Sequence, residues 1–195
     1  MQDTPLNIVH GRDLSFIREV EAESGQKVSN CYQCGNCSAG CPAAFTYDLQ
    51  TNQIMRAVQL GLKDKVLNSK SIWMCLSCST CSLRCPNNID VANVMETLRH
   101  MARRENRVNV PVMNKFWLSF LNTVRAFGRS FEIGTMVLYM LRSLRLTTDV
   151  DLAPGALSKG KLGFKPHVVP EGGAKAVARI FKRYEERAKR EGVRP

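Results

Sequence analysis

Four cysteines stand at Cys31, Cys34, Cys37 and Cys41 in the stretch CYQCGNCSAGCP, closed by Pro42. Four more stand at Cys75, Cys78, Cys81 and Cys85 in CLSCSTCSLRCP, closed by Pro86. Each cysteine of the first run has its counterpart 44 residues further on. Thiolates at i, i+3 and i+6 on a tightly turning loop suit three irons of one cubane cluster, with backbone N–H groups directed at its sulfurs. The fourth iron needs a ligand from elsewhere. In chains with two C-x2-C-x2-C-x3-C-P runs, the fourth cysteine of each run crosses to the other cluster. The spacing therefore predicts two 4Fe-4S clusters, one on Cys31, Cys34, Cys37 and Cys85, the other on Cys75, Cys78, Cys81 and Cys41. The proline after each crossing cysteine blocks continuation of the loop and suits the first turn of a new helix.

The rival readings are structural zinc and disulfides. Zinc usually takes isolated C-x2-C pairs across a longer loop, whereas here a third and a fourth cysteine follow each pair. All eight cysteines fall inside the two runs, a clustering more typical of metal ligation than of disulfide bonding in a cytosolic chain. No G-x-G-x-x-G, G-x4-G-K-[ST] or adjacent Cys-Cys pair is present, so neither a nucleotide site nor a further cluster of unusual type is expected. His10, His100 and His167 are scattered outside any acid–base motif and read as surface or structural residues. The chain is expected to carry electrons and to have no catalytic residue or substrate site of its own.

The elements that position these loops read as helices. DLSFIREVEAESG starts at a candidate cap, Asp13, sets Leu14, Ile17 and Val20 on one side and ends near Gly25. DLQTNQIMRAVQLG offers Asp48 or Thr51 as cap, an apolar face of Ile54, Met55 and Val58, and Gly61 as stop. IDVANVMETLRHMARREN places Val91, Val94, Met95, Leu98 and Met101 on one stripe behind Asp90, with Pro111 as the expected stop. Two further stripes, Phe116, Phe120, Val124 and Phe127, then Ile133, Met136, Val137, Met140, Leu141 and Leu144, are expected to face a core, this chain's or a partner's. Residues 147–173 concentrate glycine and proline and are expected to run as an extended arm. A last helix from Ala174 to Arg190 sets Val177, Ile180, Phe181 and Tyr184 against a basic face. No segment reads as a strand pair. The expected fold is all-α, with a cluster-binding domain over residues 1–110 and a helical and extended region over 111–195 that docks on a partner.

The net charge is +11, from 28 Lys and Arg against 17 Asp and Glu. Basic residues gather at Arg99, Arg103, Arg104 and Arg107, and again at Lys175, Arg179, Lys182, Arg183, Arg187, Lys189 and Arg190. Without a nucleic-acid fold signature, both patches read as solvated helix faces and no nucleic-acid partner is expected. The N-terminus lacks a charged segment followed by an apolar one, and the greasiest stretch, residues 131–144, contains Glu132 and Arg142 and is shorter than the roughly 20 apolar residues of a membrane span. A cytoplasmic protein without a transmembrane segment is expected.

CYQCGNCSAGCP, the spacer NQIMRAVQLG, SIWMCLSCSTCSLRCPNNIDV and the later FGRSFEIG and KGKLGFKP together resemble the C subunit of heterodisulfide reductase and its bacterial relatives, over roughly residues 13–170. The cysteine runs alone are shared with many α-helical ferredoxin modules; the two later stretches narrow the resemblance. It implies an α-helical ferredoxin fold holding two 4Fe-4S clusters on the eight cysteines. It also implies a relay of electrons from a flavin-containing A-type subunit to a catalytic B-type subunit that reduces or oxidises a disulfide-type substrate. A relay in a quinone-interacting or succinate/fumarate-type oxidoreductase, and a non-redox scaffold, are the other two classes compatible with the cysteine runs.

Overall fold

A computed structural model describes residues 13–144, 153–159, 169 and 172–190. Among these the chain is all-helical, with no strand. It divides into two compact units, Met1–Val110 and Pro111–Pro195.

In the first unit, α1 (Leu14–Ser24) begins at Asp13, whose carboxylate accepts from the Ser15 amide at 2.9 Å, and ends at Gly25 in the left-handed conformation. Helix α3 (Thr51–Gln59) is capped by Gln50, not by Asp48 or Thr51: the Gln50 amide donates to Gln53 Oε1 at 2.8 Å in a reciprocal capping box. Asp48 is occupied elsewhere, as described below. Gly61, at φ 70°, ends the turn after α3, and its carbonyl accepts from the Asp13 amide at 2.8 Å. A Cβ there would lie 2.5 Å from the Asp13 carbonyl oxygen, so only glycine fits. After the short α4 (Lys63–Leu67) and α5 (Ser71–Met74), α7 (Val91–Arg104) starts on Asp90, which accepts from the Asn93 amide at 3.1 Å.

One core joins these helices. Phe16 and Val20 from α1, Ile54, Met55 and Val58 from α3, Ile72 and Trp73 from α5, and Val94, Met95, Leu98 and Met101 from α7 are fully or almost fully buried. The stripes read from the sequence at α3 and α7 are the buried ones. Truncating Leu98 or Met95 to alanine would cost about 2–5 kcal/mol at such sites.

In the second unit, Pro111 opens α8 (Pro111–Phe127); the preceding helix has already ended at Arg104. Proline lacks the N–H that a first helical turn leaves unused, so it starts a helix more readily than it stops one from a distance. Helix α8 packs against α9 (Glu132–Ser143) and α11 (Gly173–Arg190). At the α8–α9 contact Ser119, Thr123 and Thr135 are buried, the Thr123 and Thr135 hydroxyls are 3.0 Å apart, and the Phe116 and Tyr139 rings meet edge to face. Phe116, Met136, Val137, Leu141 and Leu144, expected to face a core, are exposed within this chain. The same holds for Ile180 and Tyr184 of α11, which share the predicted apolar face with the half-buried Val177 and Phe181. The arm expected over 147–173 lies mostly outside the described residues, but Ala153–Ser158 form a short helix, α10. Among the described residues no helix is long and apolar enough to cross a membrane.

Candidate iron–sulfur centre

The 44-residue repeat of the cysteines is also a repeat of the backbone. In the first run, Gln33 (φ 65°) and Gly35 (φ 82°) are left-handed and lead into α2 (Asn36–Ala39), which carries Cys37. In the second, Ser77 (φ 50°) and Ser79 (φ 59°) occupy the counterpart positions and lead into α6 (Thr80–Leu83), which carries Cys81. Three of the four left-handed residues have side chains, at a cost on the order of 1 kcal/mol each. Left-handed residues two apart turn the loop backbone sharply at the same two places in each run. Backbone strain repeated at the same two places in each run marks a functional loop.

Helices α2 and α6 pack against each other, which brings the runs together. Two cavities result. One is lined by Cys75, Cys78 and Cys81 of the second run and Cys41 of the first, with Ala43, Leu76 and Met95 among its apolar walls. The other is lined by Cys31, Cys34 and Cys37 of the first run and Cys85 of the second, with Met55, Ile89 and Val91. None of the eight cysteines is in a disulfide; Cys37 and Cys75 are buried, Cys34 and Cys78 exposed.

The donor set suits a cubane. Among the described residues no three His, Cys, Asp or Glu side chains form a group for a single metal ion; a cubane instead offers one iron to each thiolate, so its four ligands need not converge on one point. Burial pushes the Cys81 thiol up to about 11 and raises that of Cys37. A thiolate in such surroundings needs positive charge beside it, and a coordinating metal supplies that charge and removes the proton. Hydrogen bonds to Thr80 lower the Cys78 pKa, and the Thr80 hydroxyl is 3.3 Å from its sulfur. Gln33 Nε2 donates to Cys31 Sγ at 3.3 Å, and the Ile89 amide to Cys85 Sγ at 3.4 Å. Tyr47 lines the cavity of Cys41 and Cys75; burial and its hydrogen bonds to these two cysteines keep its phenol protonated well above the ordinary range.

Three residues that the sequence did not single out as supports hold the second run in place. Arg99, counted in a solvated basic patch, is only 5% exposed: its guanidinium donates to the carbonyls of Ile72 and Cys75 and to Glu96, each at 2.8 Å. Glu96 also accepts from the Ser77 hydroxyl at 3.2 Å and pairs with His100 at 3.3 Å. The His100 contact, with Arg99, holds its carboxyl at about 2. Asp48 accepts from the Ser69 and Ser71 hydroxyls at 2.6 and 2.7 Å and from the Lys70 and Ser71 amides. Burial raises its pKa, but these bonds outweigh that and hold it at about 2. The rest of that basic patch is engaged too: Arg104 pairs with Glu23, Arg107 with Asp64 and Glu105, and Arg103 lies over the Trp73 ring. The carbonyls of Ile72 and Cys75 and the serines bound by Asp48 lie more than twenty residues away in sequence and leave no periodic trace. His10 and His167 lie outside the described residues.

Residues 27–89, which contain all eight cysteines, match the 4Fe-4S dicluster domain family. The chain is 32% identical over 92 residues to the C subunit of the H(2):CoB-CoM heterodisulfide,ferredoxin reductase of Methanothermobacter thermautotrophicus, covering 47% of this chain and 50% of that relative. It is 39% identical over 85 residues to the iron-sulfur C subunit of the CoB--CoM heterodisulfide reductase of Methanopyrus kandleri, covering 44% of each. To the iron-sulfur C2 subunit of the CoB--CoM heterodisulfide reductase of Methanocaldococcus jannaschii it is 37% identical over 121 residues, covering 62% of each. The chain thus spans about half the length of the curated relatives it matches. The resemblance to heterodisulfide reductase C subunits is borne out, and with it the all-α fold. The cofactors of a dicluster domain are two 4Fe-4S clusters, and eight cysteines are present to serve them.

Proposed function

We propose that the chain is the iron–sulfur electron-transfer subunit of a heterodisulfide reductase or reductase-like complex in the cytoplasm. In this reading it relays electrons between a flavin-containing A-type subunit and a catalytic B-type subunit. The observation that carries it is the sorting of the cysteines: each cavity takes three from one run and the fourth from the other. That supports one cluster on Cys31, Cys34, Cys37 and Cys85 and a second on Cys75, Cys78, Cys81 and Cys41. When bound, each cluster takes up and gives back one electron. The chain's own residues supply thiolates, aim the Ile89 amide and the Gln33 and Tyr47 side chains at cysteine sulfurs, and fix the second loop through Arg99 and Asp48. Among the described residues no acid–base or nucleophilic set remains for substrate chemistry, which supports assigning disulfide turnover to the B-type partner. The second unit, with apolar side chains of α9 left exposed, supports a docking role toward that partner.

The test is anaerobic purification of the chain, with iron analysis and EPR. About eight irons per chain and two reducible clusters are expected; zinc in their place would overturn the reading. Cys41→Ala is expected to damage the cluster held by Cys75, Cys78 and Cys81, and loss confined to the Cys31 cluster would refute the crossing.

A further inference from the structure

A third concavity lies beside the Cys31 loop, between α3 and α4, and neither cluster uses it. It is open to solvent, with Leu49, Leu60 and Leu62 among its apolar walls and Gln33, Arg56 and Lys65 among its polar ones. No acidic residue lines it. Several cations of this unit have carboxylate partners within it: Lys63 pairs with Glu19 and Glu105, Arg99 with Glu96, Arg104 with Glu23 and Arg107 with Asp64. Arg56 donates only to the neutral Gln59 amide, at 3.1 Å, and among the described residues no carboxylate pairs with Arg56 or Lys65. Gln33 joins the hollow to the redox loop, since the side chain that lines it also donates to Cys31 Sγ.

We propose that this hollow is the docking site for an acidic segment of the redox partner that exchanges electrons with the cluster on Cys31, Cys34, Cys37 and Cys85. Two cations without carboxylate partners, set around an apolar floor, call for an aspartate or glutamate flanked by apolar residues. A protein segment fits better than a free small anion because the walls are mainly aliphatic and the rim abuts the loop that an electron partner must approach. The proposal rests on the relay reading for the identity of the partner, and on the geometry of the hollow for where that partner binds.

The test uses the complex isolated from cells through a tag on this chain, with the tagged chain alone as reference. Both are treated with an amine-acetylating reagent and, separately, with a water-soluble carbodiimide that joins an amine to a carboxylate in direct contact, and peptides are read by mass spectrometry. Lys65 is expected to be protected from acetylation in the complex and amide-linked to an aspartate or glutamate of another polypeptide. Arg56→Glu combined with Lys65→Glu is expected to keep its iron content and visible absorption while binding that polypeptide about tenfold more weakly or worse. Equal acetylation of Lys65 in the two samples would overturn the proposal, as would protection of Lys65 in the isolated chain by citrate or phosphate alone, or undiminished assembly of the double variant. Iron analysis of the same samples separates the two ideas: a chain without iron sinks the relay reading, while the acetylation pattern still reports on the hollow.

Discussion

Gly40 and Arg84 occupy the same place in the two cysteine runs, 44 residues apart, and they touch. A Cβ on Gly40 would lie 2.5 Å from Cδ of Arg84. Counterpart positions meet in this way where two repeated loops face each other, and the pair divides the space unequally: the absent side chain of one makes room for the long side chain of the other. Gly40 is at φ −99°, which any residue adopts, so its role is steric and not conformational. Gly40→Ala is expected to cost about 1 kcal/mol through overpacking against Arg84. The penalty should shrink in the Arg84→Ala background, as measured by a double-mutant cycle on the denaturation midpoint. An unchanged penalty would show that the two side-chain positions do not compete.

Asp48 gives the second run a dependence on pH. Its carboxyl is held at about 2 against an ordinary 3.8, so it favours the folded state above the unfolded value, and this contribution is lost as pH falls from about 4 toward 2. Because the side chain is largely exposed, its contribution is discounted to about 1 kcal/mol, below what the full shift implies. Asp48→Asn is therefore expected to lower the thermal midpoint by a constant amount between pH 7 and 5 and by progressively less below about pH 4. A gap that widens on acidification would contradict the clamp at Ser69–Ser71.

What the sequence made legible, and what it did not, follows from the range of the interactions. The cysteine spacing is local, and so are the stripes Ile54–Met55–Val58 and Val94–Met95–Leu98, all buried as expected. Asp48 has the chemistry of a cap but caps nothing at α3, because serines more than twenty residues away compete for it. Arg99 has the chemistry of a surface cation but is drawn inward by the carbonyls of Ile72 and Cys75. In α9 the apolar period is present, but α8 meets that helix through Thr123 and Thr135, so periodicity alone could not say which side would be covered.

Gln33 and Ser77 share a position in the repeat and a left-handed backbone, yet their side chains do opposite things. Gln33 donates to Cys31 Sγ, while Ser77 turns away to the Glu96 carboxylate. A donor aimed at a ligand sulfur stabilises the more negative, reduced state of a cluster and raises its potential. Gln33→Leu is thus expected to make the potential of the cluster on Cys31 more negative and leave the other unchanged, in EPR-monitored redox titrations. Ser77→Ala should leave both potentials where they are, or move only the cluster held by Cys75. Equal shifts at both clusters in Gln33→Leu would mean that the effect is global and that this hydrogen bond does not set the potential.

The last prediction concerns α9. Val137, Leu141 and Leu144 are 49%, 62% and 84% exposed, and the first two lie one helical turn apart on one face. A lone exposed leucine is ordinary; a row of them on one helix leaves apolar surface that a partner can cover. Since these side chains contribute little to packing within this chain, Val137→Asp combined with Leu141→Asp should change the thermal midpoint and the iron content little. Retention of the proposed catalytic partner should fall by about tenfold or more, because two charges would then be buried unpaired in the interface. A chain ending at Val110 sharpens the comparison: the first unit has its own core and all eight cysteines, so it should keep about eight irons while failing to hold the partner. If the double aspartate variant assembles and supports turnover like the parent, the exposed row of α9 is not the docking face.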